Sequence, residues 1–478
     1  MTLQSTTPEF KRNARGALAD EKLQSALAFA KPGFSTKRAQ ARAALPEFDD
    51  LRDAARDLKD HVLGHLDLYL EAYERRVIES GGHVHWAETA EDARRIVLEI
   101  CRKAEAKTVN KGKTMISEEC GINDFLAENG IAPVETDLGE YIIQLRGEHP
   151  SHIIAPAVHV TVEEVREAFR KAHGHLPEGR DLEGLDTLLA EARTVLRKKY
   201  FEAEVGITGA NMLIAETGQS VIVTNEGNGD LSQSLPKVHV VMASIEKIVP
   251  TLEDASTILR VLARSATGQE MSVYTTFSQG PRRAEDPDGP EEYHVVLLDN
   301  GRSNMLGTEF QDMLRCIRCG ACMNHCPVYN AVGGHAYGWV YPGPMGAVLT
   351  PSLIGVEEGG QLPNASTFCG RCEAVCPMRI PLPRMMRSWR EREFEKRLTP
   401  SATRWGLGLW RFVASRPALY RLGTGIASRA LAAMGRGGRI AKLPWAGAGW
   451  TDQRDFPAPE PGGTFMSRYR PDAEGRPS

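Results

Sequence analysis

The sequence predicts an α/β domain on a largely parallel sheet, then a helical domain organised by cysteines, then a basic helical region. Three observations carry this expectation. Between about residues 106 and 300, short β-branched runs alternate with capped helical stretches, the pattern of successive strand–helix units. Seven of the nine cysteines fall between Cys316 and Cys376. Residues 384–442 hold 14 Lys/Arg against three Glu, a local charge of +11 in a chain whose net charge is −4.

Residues 1–105 read as a helical region packing on the α/β domain. Leu51, Ala54, Leu58, Val62, Leu66 and Leu70 recur there at helical spacing, with charges between them. The α/β domain is expected over residues 106–300. Ser151 to Pro156 (SHIIAP) reads as a strand, and Thr161-Val-Glu-Glu starts a helix with a capping box. Gln219 to Thr224 is a β-branched strand closed by the turn cluster that begins at Asn225. Val238 to Ile245 is the next strand, Thr251-Leu-Glu-Asp opens another helix, and Tyr293 to Leu298 is a strand closed by Asp299-Asn-Gly. The cysteine region follows over residues 301–383. Residues 384–442 read as basic helices, and the Pro/Gly-rich residues 443–478 as an extended tail.

Composition sets outer limits. The chain has 478 residues, 42% of them hydrophobic and 25% charged, ordinary values for globular protein at roughly 150 residues per domain. The net charge of −4 is a cancellation, since −4 − 11 leaves −15 outside the basic segment. That balance argues against a general nucleic-acid binder. The most apolar stretch, Trp405 to Met434, is interrupted by Arg411, Arg416, Arg421 and Arg429, so no membrane span is expected. The first residues lack the apolar core of a secretory signal. The expected location is the cytoplasm, where clustered cysteines bind metal more often than they form disulfides. Arginines interleaved with Trp389, Trp405, Trp410 and Phe412 make amphipathic helices suited to an acidic partner or to the anionic inner face of a membrane.

Chemistry concentrates in the cysteines. Cys316, Cys319, Cys322 and Cys326-Pro327 form C-x2-C-x2-C-x3-C-P, the spacing of bacterial two-cluster ferredoxins. In that pattern three close thiolates wrap one corner of a [4Fe–4S] cube and the fourth ligates the other cluster. A structural zinc site is the alternative, but it normally pairs two separate C-x2-C arms. The second motif, Ser366, Cys369, Cys372 and Cys376-Pro377, repeats the first with serine in the leading position. Crossed ligation assigns Cys316, Cys319, Cys322 and Cys376 to one iron–sulfur cluster and Cys326, Cys369 and Cys372 to a second. The second lacks a fourth cysteine. Ser366 or solvent could complete it, it could be a three-iron form, or an open iron could meet a substrate or partner. Cys101 and Cys120 lie outside these spacings and read as packing residues.

At these motifs the chain resembles a known family. The cysteine region resembles the helical two-cluster modules of succinate dehydrogenase and glycolate oxidase iron–sulfur subunits. The α/β region is similar to the LUD domain of the lactate-utilisation proteins, through Lys113-Thr-Met-Ile-Ser-Glu-Glu, Glu135-Thr-Asp-Leu-Gly-Glu, His149-Pro-Ser-His-Ile and Gly206-Ile-Thr-Gly-Ala-Asn. The resemblance implies a NagB/RpiA/CoA-transferase-like α/β fold. It also implies an electron-carrying role in L-lactate oxidation to pyruvate alongside two partner proteins, within an oxidoreductase complex.

Other candidates are weaker. His61/His65 and His83/His85 have metal-compatible spacing but no accompanying frame such as H-E-x-x-H. Gly206-Ile-Thr-Gly-Ala-Asn could cradle an anion at a helix start, and Glu118, Glu216 and Glu226 lie near expected strand ends. Arg318, Arg371 and Arg379 stand close to the cysteines and are expected to favour the reduced clusters. The rival reading is a catalytic α/β domain that itself binds and oxidises a 2-hydroxy acid; the absence of a flavin or nicotinamide fingerprint counts against hydride chemistry on this chain alone.

Overall fold

The computed structural model describes residues 5–177, 179–452 and 454–469. They divide into two compact units that part between Glu393 and Phe394.

In the first unit ten strands follow in order: β1 (His83–Ala87), β2 (Thr108–Gly112), β3 (Ala132–Glu135), β4 (Val205–Gly209), β5 (Met212–Ile214), β6 (Gln219–Thr224), β7 (Val238–Ser244), β8 (Ile248–Val249), β9 (Tyr274–Ser278) and β10 (Glu292–Leu298). Six form a sheet in the order β1-β10-β7-β4-β2-β3, with every pairing parallel. The two-residue alternation of a strand divides its core between two faces. On one face Val240, Met242, Val296 and Leu298 pack with Ala93, Val97 and Cys101 of the helix Ala90–Lys103. On the other, Val241, Ala243, Val295 and Leu297 pack with Leu66, Leu70, Tyr73 and Val77 of the helix Leu66–Glu79. Helices on both faces explain why β4 and β7 are buried along their whole length.

A smaller sheet, β8-β5-β6-β9, joins the α/β domain to the cysteine region. Met212, Ile214, Val221 and Val249 share one core with Ile258 and Val261 of the helix Leu252–Ala266 and with Met323, Tyr337, Tyr341 and Met345. The capping boxes expected at Thr161 and Thr251 both form; the Thr251 hydroxyl accepts the Asp254 N–H at 3.1 Å, and Asp254 accepts the Thr251 N–H at 3.1 Å.

Several expectations change. Residues 1–105 are not purely helical, because β1 and the helix Ala90–Lys103 belong to the sheet. The first helices pack on the cysteine region as well as on the α/β domain: Phe10 meets Tyr337 edge-on at 5.3 Å and Gln24 donates to the Ala331 carbonyl at 2.8 Å, while Lys59 donates to the Ile248 carbonyl at 3.1 Å and Glu47 pairs with Arg260 at 2.6 Å. The helix Phe48–Leu63 buries Phe48, Arg52, Ala55, Lys59 and Val62, a stripe rotated from the expected one and carrying two cations. Ser151–Pro156 is an irregular loop, closed by the Ser151 N–H donating to the Pro156 carbonyl at 3.1 Å; prolines at both ends suit a turn better than a ladder. The basic region is split: the helix Leu382–Glu395 buries Trp389 in the first unit, stacked on Phe310 at 4.2 Å.

The second unit holds the helices Ser401–Ala414 and Pro417–Met434. The first of these buries no residue; Trp405, Leu409 and Trp410 are 80%, 67% and 65% exposed. The tail is less extended than expected, since Phe456–Pro457 pairs antiparallel with Arg439–Ile440; residues 470–478 lie outside the described residues.

Gly206, in mid-strand, is fixed by close approach: a Cβ there would lie 1.9 Å from the Ser232 carbonyl oxygen. Gly206→Ala therefore overpacks the sheet, and we expect a loss of about 2–3 kcal/mol, read as a lower urea midpoint by circular dichroism. An unchanged midpoint would contradict this packing.

Candidate metal centre

The two cysteine motifs share one backbone path. In the first, Arg318 (φ 60°) and Gly320 (φ 71°) are left-handed and lead into the short helix Ala321–Asn324. In the second, Phe368 (φ 52°) and Gly370 (φ 76°) take the same places before the helix Arg371–Val375. A non-glycine residue in this region is uncommon and costly, so its recurrence at the same step of both motifs marks a shared structural demand. Ser366 accordingly stands where Cys316 stands in the first motif. Its hydroxyl accepts the Phe368 N–H at 3.1 Å.

The turns aim N–H groups at sulfur. Cys319 accepts from the Ala321 amide, Cys326 from Val328 and Tyr329, Cys369 from Arg371, and Cys372 from Glu373. The Ile380 N–H lies 3.5 Å from the Cys376 sulfur. Such contacts tune sulfur ligands in iron–sulfur centres.

Cys316, Cys319, Cys322 and Cys376 together line one small cavity of about 20 Å³. Cys326, Cys369 and Cys372 form a second interacting set, in which Cys369 is exposed and the other two are buried. All seven thiols are free of disulfides. Burial, reinforced by neighbouring cysteines, pushes the Cys319 and Cys372 thiols up to about 12 and Cys376 to about 11. Cys369 is instead drawn down by the Arg371 amide and by Thr367. Thiolates packed this closely need a counter-charge, which bound iron supplies. The donor set fits an iron–sulfur group.

Arginines surround the thiols. Arg318, its side chain only 10% exposed, lies over the Tyr341 ring at 4.9 Å and reaches Glu246 at 3.3 Å. Arg371 is exposed, yet its charge favours the Cys369 thiolate, and Arg379 is held by Asp53 at 3.0 Å. Two arginines that sequence reading missed come from the N-terminal helices. Arg38 donates to the Val375 carbonyl at 2.7 Å; Arg52 donates to those of Ala374 and Cys376 at 2.9 and 2.7 Å. Their one detectable signal was a charge on a buried helix face.

A buried ion network ties the cysteine region to the α/β domain. Arg302, fully buried after β10, donates from both terminal nitrogens to Glu119 at 2.9 and 2.6 Å. Tyr341 and Asn300 donate to the same carboxylate, each at 2.7 Å. Arg302 Nε also lies 3.2 Å from Glu246. Burial pushes the Glu246 carboxyl up, but Arg302, Arg318 and Lys247 outweigh it and hold the group at about 2.

The remaining candidates have structural partners. Glu118 pairs with the buried Lys111 at 2.6 Å, Glu226 with Lys113 at 3.2 Å, and Glu216 accepts the Leu252 N–H at 3.3 Å. His61 contacts Tyr69 at 3.0 Å and His65 the His61 carbonyl at 2.9 Å, both exposed at the turn between two helices. His85 contacts His294 at 3.0 Å, and His83 stacks on that ring. Gly206–Gly209 belongs to β4 and opens no helix. Cys101 and Cys120 are buried packing residues of the sheet core.

The LUD domain family model matches residues 70–298, and the 4Fe-4S dicluster domain model matches residues 312–380. Fold and cysteine geometry thus define a LUD-domain iron–sulfur protein. A lactate utilization protein B of Bacillus licheniformis is 41% identical over 472 residues, covering 98% of this chain and 97% of that protein. Its counterpart in Bacillus subtilis strain 168 is 40% identical over 476 residues, with coverage of 98% and 97%. An Escherichia coli K12 protein named uncharacterized electron transport protein YkgF is 39% identical over 470 residues, 98% of each chain. The chain belongs to the lactate utilization protein B family.

Arg302→Met leaves two buried carboxylates short of their cation, and we expect it to cost about 3–5 kcal/mol. Tyr341→Phe removes one of several donors to Glu119 and should cost only about 1 kcal/mol. Equal urea midpoints for the two variants would show the network to be unimportant. A pH series tests Glu246. Because its folded value of about 2 lies below the ordinary 4.5, its contribution is complete above pH 4.5 and is lost as pH falls toward 2. Glu246→Gln should flatten that part of the acid-unfolding profile.

Proposed function

We propose that this chain is an iron–sulfur electron carrier in the oxidation of L-lactate to pyruvate, passing electrons singly through two clusters to an acceptor. The observation that carries the reading is the grouping of seven free thiols into a set of four around one cavity and a set of three beside it. On this reading Cys316, Cys319, Cys322 and Cys376 hold the first cluster, and Cys326, Cys369 and Cys372 hold the second. Ser366 is the protein-derived candidate for its fourth position. The names of the Bacillus relatives and of the Escherichia coli protein support the pathway and the electron-transfer role.

The exposure of Cys369 makes the second cluster the one a partner reaches, and the burial of Cys319, Cys322 and Cys376 makes the first the internal one. The partners are two other lactate-utilisation proteins. No helix among the described residues is long and apolar enough to cross a membrane. The exposed Trp405, Leu409 and Trp410 among arginines suit contact with an acidic partner or with the inner membrane surface, leaving the chain cytoplasmic and peripheral.

Anaerobic purification with iron and sulfide counting, followed by EPR of the reduced protein, tests this. About seven to eight irons per chain are expected for a three- or four-iron second site beside a [4Fe–4S] first site. Cys322→Ser should abolish one reduced signal, and Cys372→Ser the other. Zinc in place of iron, or clusters that resist reduction at every accessible potential, would overturn the reading.

A further inference from the structure

A second cavity, of about 180 Å³, opens beside the first group of thiols. It lies at the carboxyl ends of three adjacent strands, where parallel α/β sheets place their ligands. Lys113 follows β2, Gly209 ends β4 and Asn211 follows it, and Lys247 follows β7. Ile154, from the irregular loop, and Arg318 and Cys319, from the first cysteine motif, complete the wall. Its size falls below the roughly 300–1,000 Å³ typical of sites for drug-sized ligands and suits a small metabolite.

The charges in this wall do not balance. Lys113 is paired with Asp137 and lies 3.2 Å from Glu226. Glu140, also in the wall, accepts the Lys113 amide at 3.2 Å, and its carboxyl is pushed up by burial and by Glu135 and Asp137. Arg318 spends one terminal nitrogen on Glu246, while its other, Nη1, is buried without a hydrogen-bond partner. Lys247 is 7% exposed and lines the cavity, and its ammonium makes no hydrogen bond or ion pair among the described residues. An unpartnered ammonium at this depth is costly unless an anion completes it.

We propose that this cavity binds a small monocarboxylate of the 2-hydroxy or 2-oxo acid class, its carboxylate held by Lys247 and the free Nη1 of Arg318, in van der Waals reach of the first cluster's protein shell. The apolar wall at Ile154 and Leu262 accepts a short alkyl group, and Asn211, whose Oδ1 accepts the Val223 N–H at 2.9 Å, leaves its Nδ2 to an α-oxygen. The binding step moves no electrons and forms no bond. The proposal rests on the lactate-oxidation reading and names where the acid, as reactant or product, meets this chain.

A competing role for Lys247 is as a fixed counter-ion to the cluster, since it also senses Cys316. The test separates the two. Anaerobically purified holoprotein is dialysed to equilibrium against radiolabelled L-lactate and pyruvate, with acetate and inorganic phosphate as competitors, and EPR of the reduced protein is recorded with and without each acid. We expect one saturable site per chain, a change in one cluster signal on binding, at least about tenfold weaker binding in Lys247→Met, and recovery to within a few-fold in Lys247→Arg. Iron content of both variants, measured alongside, should match the parent. Absence of binding by protein with full, reducible clusters overturns this site and leaves the electron-carrier reading intact. Equal affinity in Lys247→Met, or competition by phosphate as strong as by pyruvate, overturns it too. A cluster potential altered in Lys247→Met with acid affinity unchanged would assign the lysine to the counter-ion role alone.

Discussion

The buried carboxylate of Glu119 and its partner Arg302 fix the relation between the two halves of the first unit. Neither group touches water, so each is tolerable only because the other is present at hydrogen-bond distance. Glu119 comes from the helix Met115–Cys120 beside the sheet, Arg302 from the turn after β10, Tyr341 from the cysteine region, and Glu246 from the turn after β7. A pair that forks both carboxylate oxygens has little freedom to slide, so four separate chain segments acquire one register. The apolar core around Met212, Tyr337 and Met345 then supplies the bulk of the burial without having to supply the alignment.

The same logic explains why the N-terminal helices lie on the cysteine region. A motif that turns its amides toward sulfur turns its carbonyls outward, and those carbonyls need donors. Arg38 and Arg52 provide them at residues 374–376 and also bring positive charge toward the thiols. Residues far apart in sequence are therefore parts of one centre. A cysteine domain bounded at residue 301 would lack the cations that finish its second motif.

The parallel sheet, its capped helices and the two cysteine motifs were legible because each rests on local patterning. Thr251 with Asp254, or Cys319 with Cys322, need nothing beyond their own few residues. What escaped was set by tertiary contact. Ser151–Pro156 has the composition of a strand, yet no strand edge receives it, and its Ser151 carbonyl accepts the Tyr329 hydroxyl instead. Arg52 and Lys59 sit on a buried helix face because carbonyls across the core receive them. Lys247, in a buried run after β7, gave no sign in sequence that it lines a cavity.

Arg318 joins the two sites electrostatically. Its left-handed backbone lies between Cys316 and Cys319, and its guanidinium reaches the wall of the larger cavity and Glu246. A cation cannot serve two anions independently in a medium of low effective dielectric. Negative charge gained by the thiol side draws on the same field that would hold an anion in the cavity, and by linkage each weakens the other to the same degree. Glu246 limits this coupling by taking a fixed share of the Arg318 charge. Its carboxylate is thereby more than a filler of the network: it sets how much positive potential remains on either side of the strand ends.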